Sequence, residues 1–354
     1  MAIACSTSAS ADKPEYLDSN HHAEAQFFNP EQPVNHAGGL WAGLKILWDF
    51  TFNKPKDAAP STSPTVLPLT SEALSALADN QFVRLGHSTL LFKLNHRFWL
   101  TDPVFAERAS PLSWAGPKRF HASPISLDDL PSIEAVIISH DHYDHLDKGA
   151  IVALAQKTKR FIVPLGVGGL LQAWGVAAEQ VIELDWHETH EMAGVKLTAT
   201  PAQHFSGRSL TDKNVRLWAS WVIKTSTVSL FFSGDTGYFE GFKRIGERYG
   251  PFDVTFVETG AYDPRWADIH MLPEQSVQAH VDLQGRWMMP IHNGTFDLAM
   301  HAWTEPFERA LQAAAKYQVA ITTPLMGEPV AILAPHAGSF WWREAVQEAV
   351  AITE

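Results

Sequence analysis

Ala135-Val-Ile-Ile-Ser139 runs directly into His140-Asp141-His142-Tyr143-Asp144-His145. Ala135 to Ile138 are apolar, the last three of them β-branched, the pattern of a strand covered on both faces. The next six hold three histidines and the Asp144 carboxylate. In a helix or a strand these donors would point in different directions, but a loop leaving a strand end can fold them around one point. Such a density of imidazole nitrogen and carboxylate oxygen suits zinc or another borderline divalent ion.

Working outward, further donors also follow strand-like runs. His204 comes after Val195–Thr200, Asp235 after Ser229–Ser233 within Ser-Gly-Asp-Thr-Gly, and His292 after Trp287–Ile291. Ligands gather outside the carboxyl ends of strands in α/β sheets, so four strands would deliver five histidines and two aspartates to one edge. One catalytic ion uses about three protein ligands, so seven donors suffice for two ions and a two-metal hydrolase is expected.

Short strand signals also lie at 82–85, 89–94, 97–101, 160–163 and 253–257, the second and third separated by Asn95-His96. Helical stretches are expected at 148–157, 239–249, 273–282 and 304–317. Hairpins mixed with strand–helix units predict an α/β protein of two packed sheets with helices outside. No internal repeat is legible. Residues 1–68 read as a polar arm, an amphipathic segment and a Pro-rich connector, and 69–354 as the metallo-hydrolase domain. In the amphipathic segment Leu40, Trp41, Leu44, Leu47 and Trp48 share a helical face, suited to packing on the domain or to meeting lipid. Trp114, Trp341 and Trp342 are further lipid-facing candidates.

Composition sets bounds. The 354 residues are 45% apolar and 19% charged, with 27 Lys plus Arg against 39 Asp plus Glu, a formal net charge of −12. This is a globular composition, and its acidity argues against nucleic acid as a partner. The single cysteine, Cys5, excludes a disulfide scaffold and cysteine-based metal sites. No run is apolar enough to span a bilayer. A cytoplasmic location is expected, at most peripheral to a membrane. The alternative takes Ala2-Ile-Ala-Cys5 as the tail of a lipoprotein signal continuing upstream, which would place the chain in the cell envelope.

The pattern His140-x-His142-x-Asp144-His145, with His204, Asp235 and His292, resembles the metallo-β-lactamase fold superfamily. Within it, Leu85-Gly-His-Ser-Thr-Leu90, Leu100-Thr-Asp-Pro-Val-Phe105, Thr200-Pro-Ala-Gln-His204, Ser233-Gly-Asp-Thr-Gly-Tyr238 and Ile291-His-Asn-Gly-Thr-Phe296 are similar to the N-acyl-phosphatidylethanolamine-hydrolysing phospholipase D family. The resemblance implies an αββα four-layer sandwich with two zinc ions. His140, His142 and His204 would hold the first, Asp144, His145 and His292 the second, and Asp235 would bridge them. It further implies hydrolysis of a glycerophospholipid such as N-acyl-phosphatidylethanolamine to phosphatidic acid and N-acylethanolamine, by a hydroxide shared between the ions.

Asp144 and His270 are the expected catalytic residues. His270, in Asp268-Ile-His-Met-Leu-Pro-Glu274, matches a family histidine beside the substrate phosphate, where it would stabilise charge or assist the leaving group. The alternative for it is an ordinary loop histidine. His87 is expected to orient a ligand, or else to be a buried structural residue. One departure is Asn293, where the family usually carries Trp. Competing functions are a metal-dependent lactone or ester hydrolase and a non-catalytic metal or lipid binder. The expected partner is a phospholipid or another small phosphodiester, with oligomeric state left open.

Other signals are discounted. His187-Glu-Thr-His190 is one residue short of the helical zinc-protease motif and reads as a solvated loop. Gly166-Val-Gly168-Gly169 lacks the third glycine of a dinucleotide fingerprint and reads as a tight turn into a helix. Arg108, Lys118 and Arg119 read as solvated, or as contacts for an anionic head group.

Overall fold

A computed structural model describes residues 19–29, 31, 45–46, 48–50 and 52–353. Cys5, Leu40, Trp41, Leu44 and Leu47 lie outside the described residues. A short hairpin, β1 (His22–Ala23) and β2 (Gln26–Phe27), precedes two seven-stranded sheets. The first contains β3 (Gln81–Gly86), β4 (Thr89–Leu94), β5 (Arg97–Thr101), β6 (Ile133–Ile137), β7 (Thr158–Pro164) and β8 (Val181–Leu184). The second contains β9 (Thr189–Met192), β10 (Val195–Thr200), β11 (Ser220–Lys224), β12 (Ser229–Phe232), β13 (Phe252–Glu258), β14 (Gly285–Ile291) and β15 (Ala320–Ile321). β16 (Pro329–Ala331) returns to the first sheet beside β3.

Both sheets follow one plan. In the order β16-β3-β4-β5-β6-β7-β8 the first three pairings are antiparallel and the last three parallel, and β9 to β15 repeat that pattern. This duplication has no counterpart in the sequence, because it is carried by strand direction rather than side-chain identity. Asn95 and His96 both take positive φ, 49° and 60°, the two-residue turn whose twist suits a tight hairpin.

The period-two alternation of strands sorts side chains into layers. Phe82, Phe92, Ile137, Phe232, Phe256 and Met289 fill the space between the sheets. Phe256 meets Phe82 edge-on at 4.9 Å and Phe92 at 5.3 Å. Val83, Leu91, Val136 and Phe161 face the helices Ser71–Ser75, Lys148–Leu154 and Val167–Ala173. Phe231, Val257 and Met288 face Gly241–Tyr249, Pro273–Asp282 and Glu305–Tyr317. The result is the αββα sandwich.

Several expectations change. Described residues before 69 reach the sandwich: Phe27 belongs to the core between the sheets, and Leu67 N–H donates to Met326 O at 2.8 Å. Thr189–Met192 is an edge strand rather than a solvated loop, because it pairs with β10. Trp341 and Trp342 are buried, packed with Trp303 and Phe307, so they do not face lipid. Trp48 and Trp114 are exposed. Gly166 takes φ +84° at the start of Val167–Ala173, as a tight turn into a helix requires. Among the described residues, no helix is long and apolar enough to cross a membrane.

Candidate metal centre

The carboxyl ends of β6, β10, β12 and β14 meet at one edge of the sandwich. After β6 the chain turns back on itself, with Leu146 N–H donating to His142 O at 2.8 Å, so residues 140–145 wrap around a point. The end of β12 comes so close that a Cβ on Gly234 (φ +57°) would lie 2.5 Å from Ser139 Cβ, and only glycine fits there. The Asn29 side chain grips the backbone of His204, accepting from its N–H at 3.0 Å and donating to its carbonyl at 2.8 Å.

All seven expected donors converge, in two groups. The first is His140, His142, His204 and Asp235, whose donor atoms lie within 4.8 Å of one another. Within it His142 Nδ1 is 2.9 Å from His140 Nε2 and 3.3 Å from His204 Nε2. The second is Asp144, His145 and His292, with His87 close enough to count as a fourth donor. Asp235 touches both: Oδ2 is 3.8 Å from His140 Nε2 and 3.0 Å from His292 Nε2, while Oδ1 is 2.9 Å from His145 Nε2.

An outer layer aims these rings. Asp102, fully buried, accepts at Oδ2 from His145 Nδ1 (2.7 Å) and Ser139 Oγ (2.6 Å), and at Oδ1 from Ser139 N–H (2.7 Å). Ser139 Oγ thus spends its proton on Asp102 and receives one from His140 Nδ1 at 2.9 Å. His204 Nδ1 donates to Ile269 O at 3.1 Å. Each bond puts the proton on Nδ1 and leaves the Nε2 lone pair facing inward, the arrangement a metal ligand needs. His145 Nε2 and Asp235 Oδ1 are buried, 2.9 Å apart, and have no further hydrogen-bond partner, so a cation binding between them would meet two unspent donor atoms.

The electrostatics divides the groups. Burial, reinforced by neighbouring imidazoles, holds His140 and His204 well below the usual histidine range, and burial also lowers His142, so the three imidazoles of this group are neutral lone-pair donors. Burial opposes charge on His292, yet Asp235 and Asp144 hold it up to about 10. His145 is likewise held well above its ordinary value, against burial, by Asp235, Asp144 and Asp102. His87 is pushed down to about 3 by burial and His292, so its neutral ring orients Asp144 Oδ2 at 3.2 Å.

His270 lines the same cavity and stacks on His292, the ring centroids 5.4 Å apart. Its Nδ1 bonds Glu258 Oε1. Neither Glu258 nor Asp102 stands out in the sequence, where each is a lone carboxylate without a surrounding cluster. The strand-end rule contained the signal for Glu258: it closes β13, which lies between the strands that deliver Asp235 and His292. Asn293 is a scaffold residue. It is buried, donates to Thr259 O (3.1 Å) and Ile291 O (2.9 Å), and accepts from Arg84 Nη2 at 2.8 Å. Arg108, Lys118 and Arg119 line a separate cleft of about 710 Å³ that contains none of the donors.

The cavity over the centre encloses about 310 Å³. One wall carries His142, Asp144, Asp235, His270 and His292. The cavity is also lined by the apolar side chains of Ile46, Phe205, Trp266, Ile269 and Leu298, of which Phe205 packs on His142 at 4.5 Å. At its rim Arg265 pairs with Asp49 at 2.9 Å and Asp263 at 2.7 Å.

Known proteins resemble this chain in sequence and fold. The profile of the beta-lactamase superfamily domain matches residues 97–293. An uncharacterized Mycobacterium tuberculosis protein is 43% identical over 306 residues, covering 84% of this chain and 80% of its own. The Caenorhabditis elegans protein named N-acyl-phosphatidylethanolamine-hydrolyzing phospholipase D 1 is 40% identical over 289 residues, 77% of this chain and 81% of its own. Among solved structures, a metallo hydrolase from Ignicoccus hospitalis superposes with a TM-score of 0.55 at 22% identity, over 71% of this chain and 97% of that one.

Proposed function

This chain belongs to the beta-lactamase superfamily and is a metal-dependent hydrolase, and from that premise we propose that it cleaves the phosphodiester of an amphiphile. The substrate is a glycerophospholipid such as N-acyl-phosphatidylethanolamine, and the products are phosphatidic acid and N-acylethanolamine. The observation that carries this reading is the seven-donor cluster opening, through His142, Asp144, Asp235 and His292, into a cavity that apolar side chains also line. The identity to the C. elegans protein of that name supports it.

In this reading His140, His142 and His204 hold one zinc ion, Asp144, His145 and His292 a second, and Asp235 is shared. Two bound cations supply positive charge for the phosphoryl oxygens and lower the pKa of water. The residues of the chain do the rest. Asp102, Ser139 and Ile269 O keep the imidazole lone pairs inward, and His87 steadies Asp144. His270 moves a proton at the leaving oxygen. Ile46, Phe205, Trp266 and Leu298 take the hydrocarbon of the substrate and exclude water around the reacting group. Trp48 and Phe52, exposed and 4.4 Å apart near Ile46, meet the lipid surface from which the substrate is drawn.

The test is turnover by zinc-loaded protein of N-acyl-phosphatidylethanolamine in vesicles, a soluble aryl phosphodiester and a lactone, with metal content measured alongside. Phosphodiester hydrolysis that disappears on chelation and returns with zinc is expected. Turnover of the lactone alone would replace this reading with a carboxylic-ester hydrolase, and turnover of none would leave a binding protein.

A further inference from the structure

We infer that Glu258 is a positioning residue for the hydrolytic step, holding His270 by Nδ1 so that Nε2 serves the cavity as proton carrier for the leaving oxygen. The inference rests on the phosphodiesterase reading above and adds to it a residue that none of the expected roles covers.

Glu258 is completely buried, where a carboxylate is retained only with specific partners. Among the described residues its ion-pair partner is His270. It belongs to none of the three groups of converging donors, the third of which joins His270 to Asp235 and His292, so metal binding does not account for it. Its orientation is fixed from several sides. Oε1 bonds His270 Nδ1, and Oε2 accepts from Thr236 N–H at 2.8 Å. Its own N–H donates to Ser233 Oγ at 2.9 Å, and its carbonyl accepts from Ser276 Oγ at 2.6 Å. Both carboxylate oxygens are therefore occupied, and the carboxylate has no freedom to swing toward the metal donors. With Nδ1 committed, the other nitrogen of the ring is the one left to the cavity that His270 lines. A carboxylate behind an imidazole sets the tautomer and stabilises the ring while it carries a second proton.

The chemistry balances as follows. Water oxygen forms a new bond to phosphorus, and the bond from phosphorus to the leaving oxygen breaks. That oxygen takes a proton from His270 Nε2 and departs as the alcohol, while the proton released by the attacking water restores Nε2. Glu258 keeps its proton inventory throughout and holds the ring in place through Nδ1.

The test is Glu258→Gln in the full-length zinc-loaded protein. The amide offers one acceptor where Thr236 N–H and His270 Nδ1–H need two, so the ring loses its partner or turns over. On a dialkyl phosphodiester, whose alcohol needs a proton to leave, kcat should fall about 100-fold with KM unchanged. On a p-nitrophenyl diester, whose phenolate leaves unaided, kcat should change little. The Glu258→Gln/His270→Gln double variant should be no worse than either single variant, and zinc content should match wild type. A ring N–H proton resonance of wild type, assigned by its absence in His270→Gln, should move or vanish in Glu258→Gln.

Equal losses on both diesters, multiplicative losses in the double variant, or loss of zinc would overturn the inference, since Glu258 would then act on the scaffold and not through His270. The wild-type spectrum decides the matter even where Glu258→Gln does not fold: no protected ring N–H on His270 overturns it. Failure of wild type to cleave either diester rejects the phosphodiesterase reading and the leaving-group role together, whereas failure confined to the variant pattern rejects Glu258 alone.

Discussion

Changing Asp102 to Asn removes one charge and almost no volume, yet it reaches both donor groups. The carboxylate accepts three hydrogen bonds, two from Ser139 and one from His145 Nδ1. An amide accepts at one oxygen only. With that oxygen kept on Ser139 N–H, the new NH₂ faces His145 Nδ1 and Ser139 Oγ. His145 must then carry its proton on Nε2, where it can no longer be a ligand, and Ser139 Oγ turns its proton toward His140 Nδ1, displacing that tautomer as well. The alternative orientation leaves a buried Ser139 N–H without a partner, at about 1–3 kcal/mol. Outer-layer substitutions of this kind weaken metal binding about 10- to 100-fold, or about 1.4–2.7 kcal/mol. Competition of D102N against a chromophoric chelator measures this directly. The increase in thermal stability on adding zinc should shrink by the same free energy. Wild-type affinity at both sites in a folded D102N protein would refute the claim that Asp102 sets the tautomers.

Three further outcomes are expected. Asn293→Ala removes a side-chain acceptor from the buried Arg84 guanidinium, which keeps the backbone carbonyl of residue 293, and removes the amide donor from Thr259 O and Ile291 O, so urea denaturation should show about 1–3 kcal/mol of lost stability; an unchanged midpoint contradicts the scaffold role. His280, bonded to Thr255 Oγ1 at 2.7 Å, is pushed down to about 4 by burial, while the unfolded chain takes up its proton near the ordinary 6.5. The unfolded state therefore binds more protons between those values, and wild type should lose about 3 kcal/mol more than His280→Asn as pH falls from 7 to 4. Parallel denaturation curves for the two proteins would rule this out. Trp48→Ala/Phe52→Ala removes two neighbouring exposed rings, and flotation with phospholipid vesicles should report about tenfold weaker partitioning; equal partitioning would place the lipid contact elsewhere.

The sequence disclosed this site to the extent that its donors announce themselves locally. Three histidines and an aspartate in the loop after one strand, and single donors after three others, need only the rule that strand ends line a sheet edge. The hairpin of β4 and β5 was legible for a similar reason, since Asn95-His96 suits a turn with two positive φ values. What stayed hidden depends on contacts between distant segments. Asp102 and Glu258 are isolated carboxylates whose importance arises when β5 and β13 bring them beside Ser139 and His270. Asn29 lies in a polar stretch with no periodicity, yet 175 residues later it meets the backbone of His204. β11 was unmarked because Ser220–Val222 and Ile223 are buried on both faces and give no alternation. Trp341 and Trp342 show that an aromatic pair near a chain end carries no sign of its direction, which Phe307 and Trp303 decide by packing.

Whether one edge of the sandwich holds two metal ions for phosphodiester hydrolysis is decided by titrating the metal-free protein with zinc, counting bound ions per chain and following diester hydrolysis in the same samples. Two ions should bind, with activity appearing as the second site fills. Fewer than one ion per folded chain, or full activity without metal, would contradict two-metal catalysis.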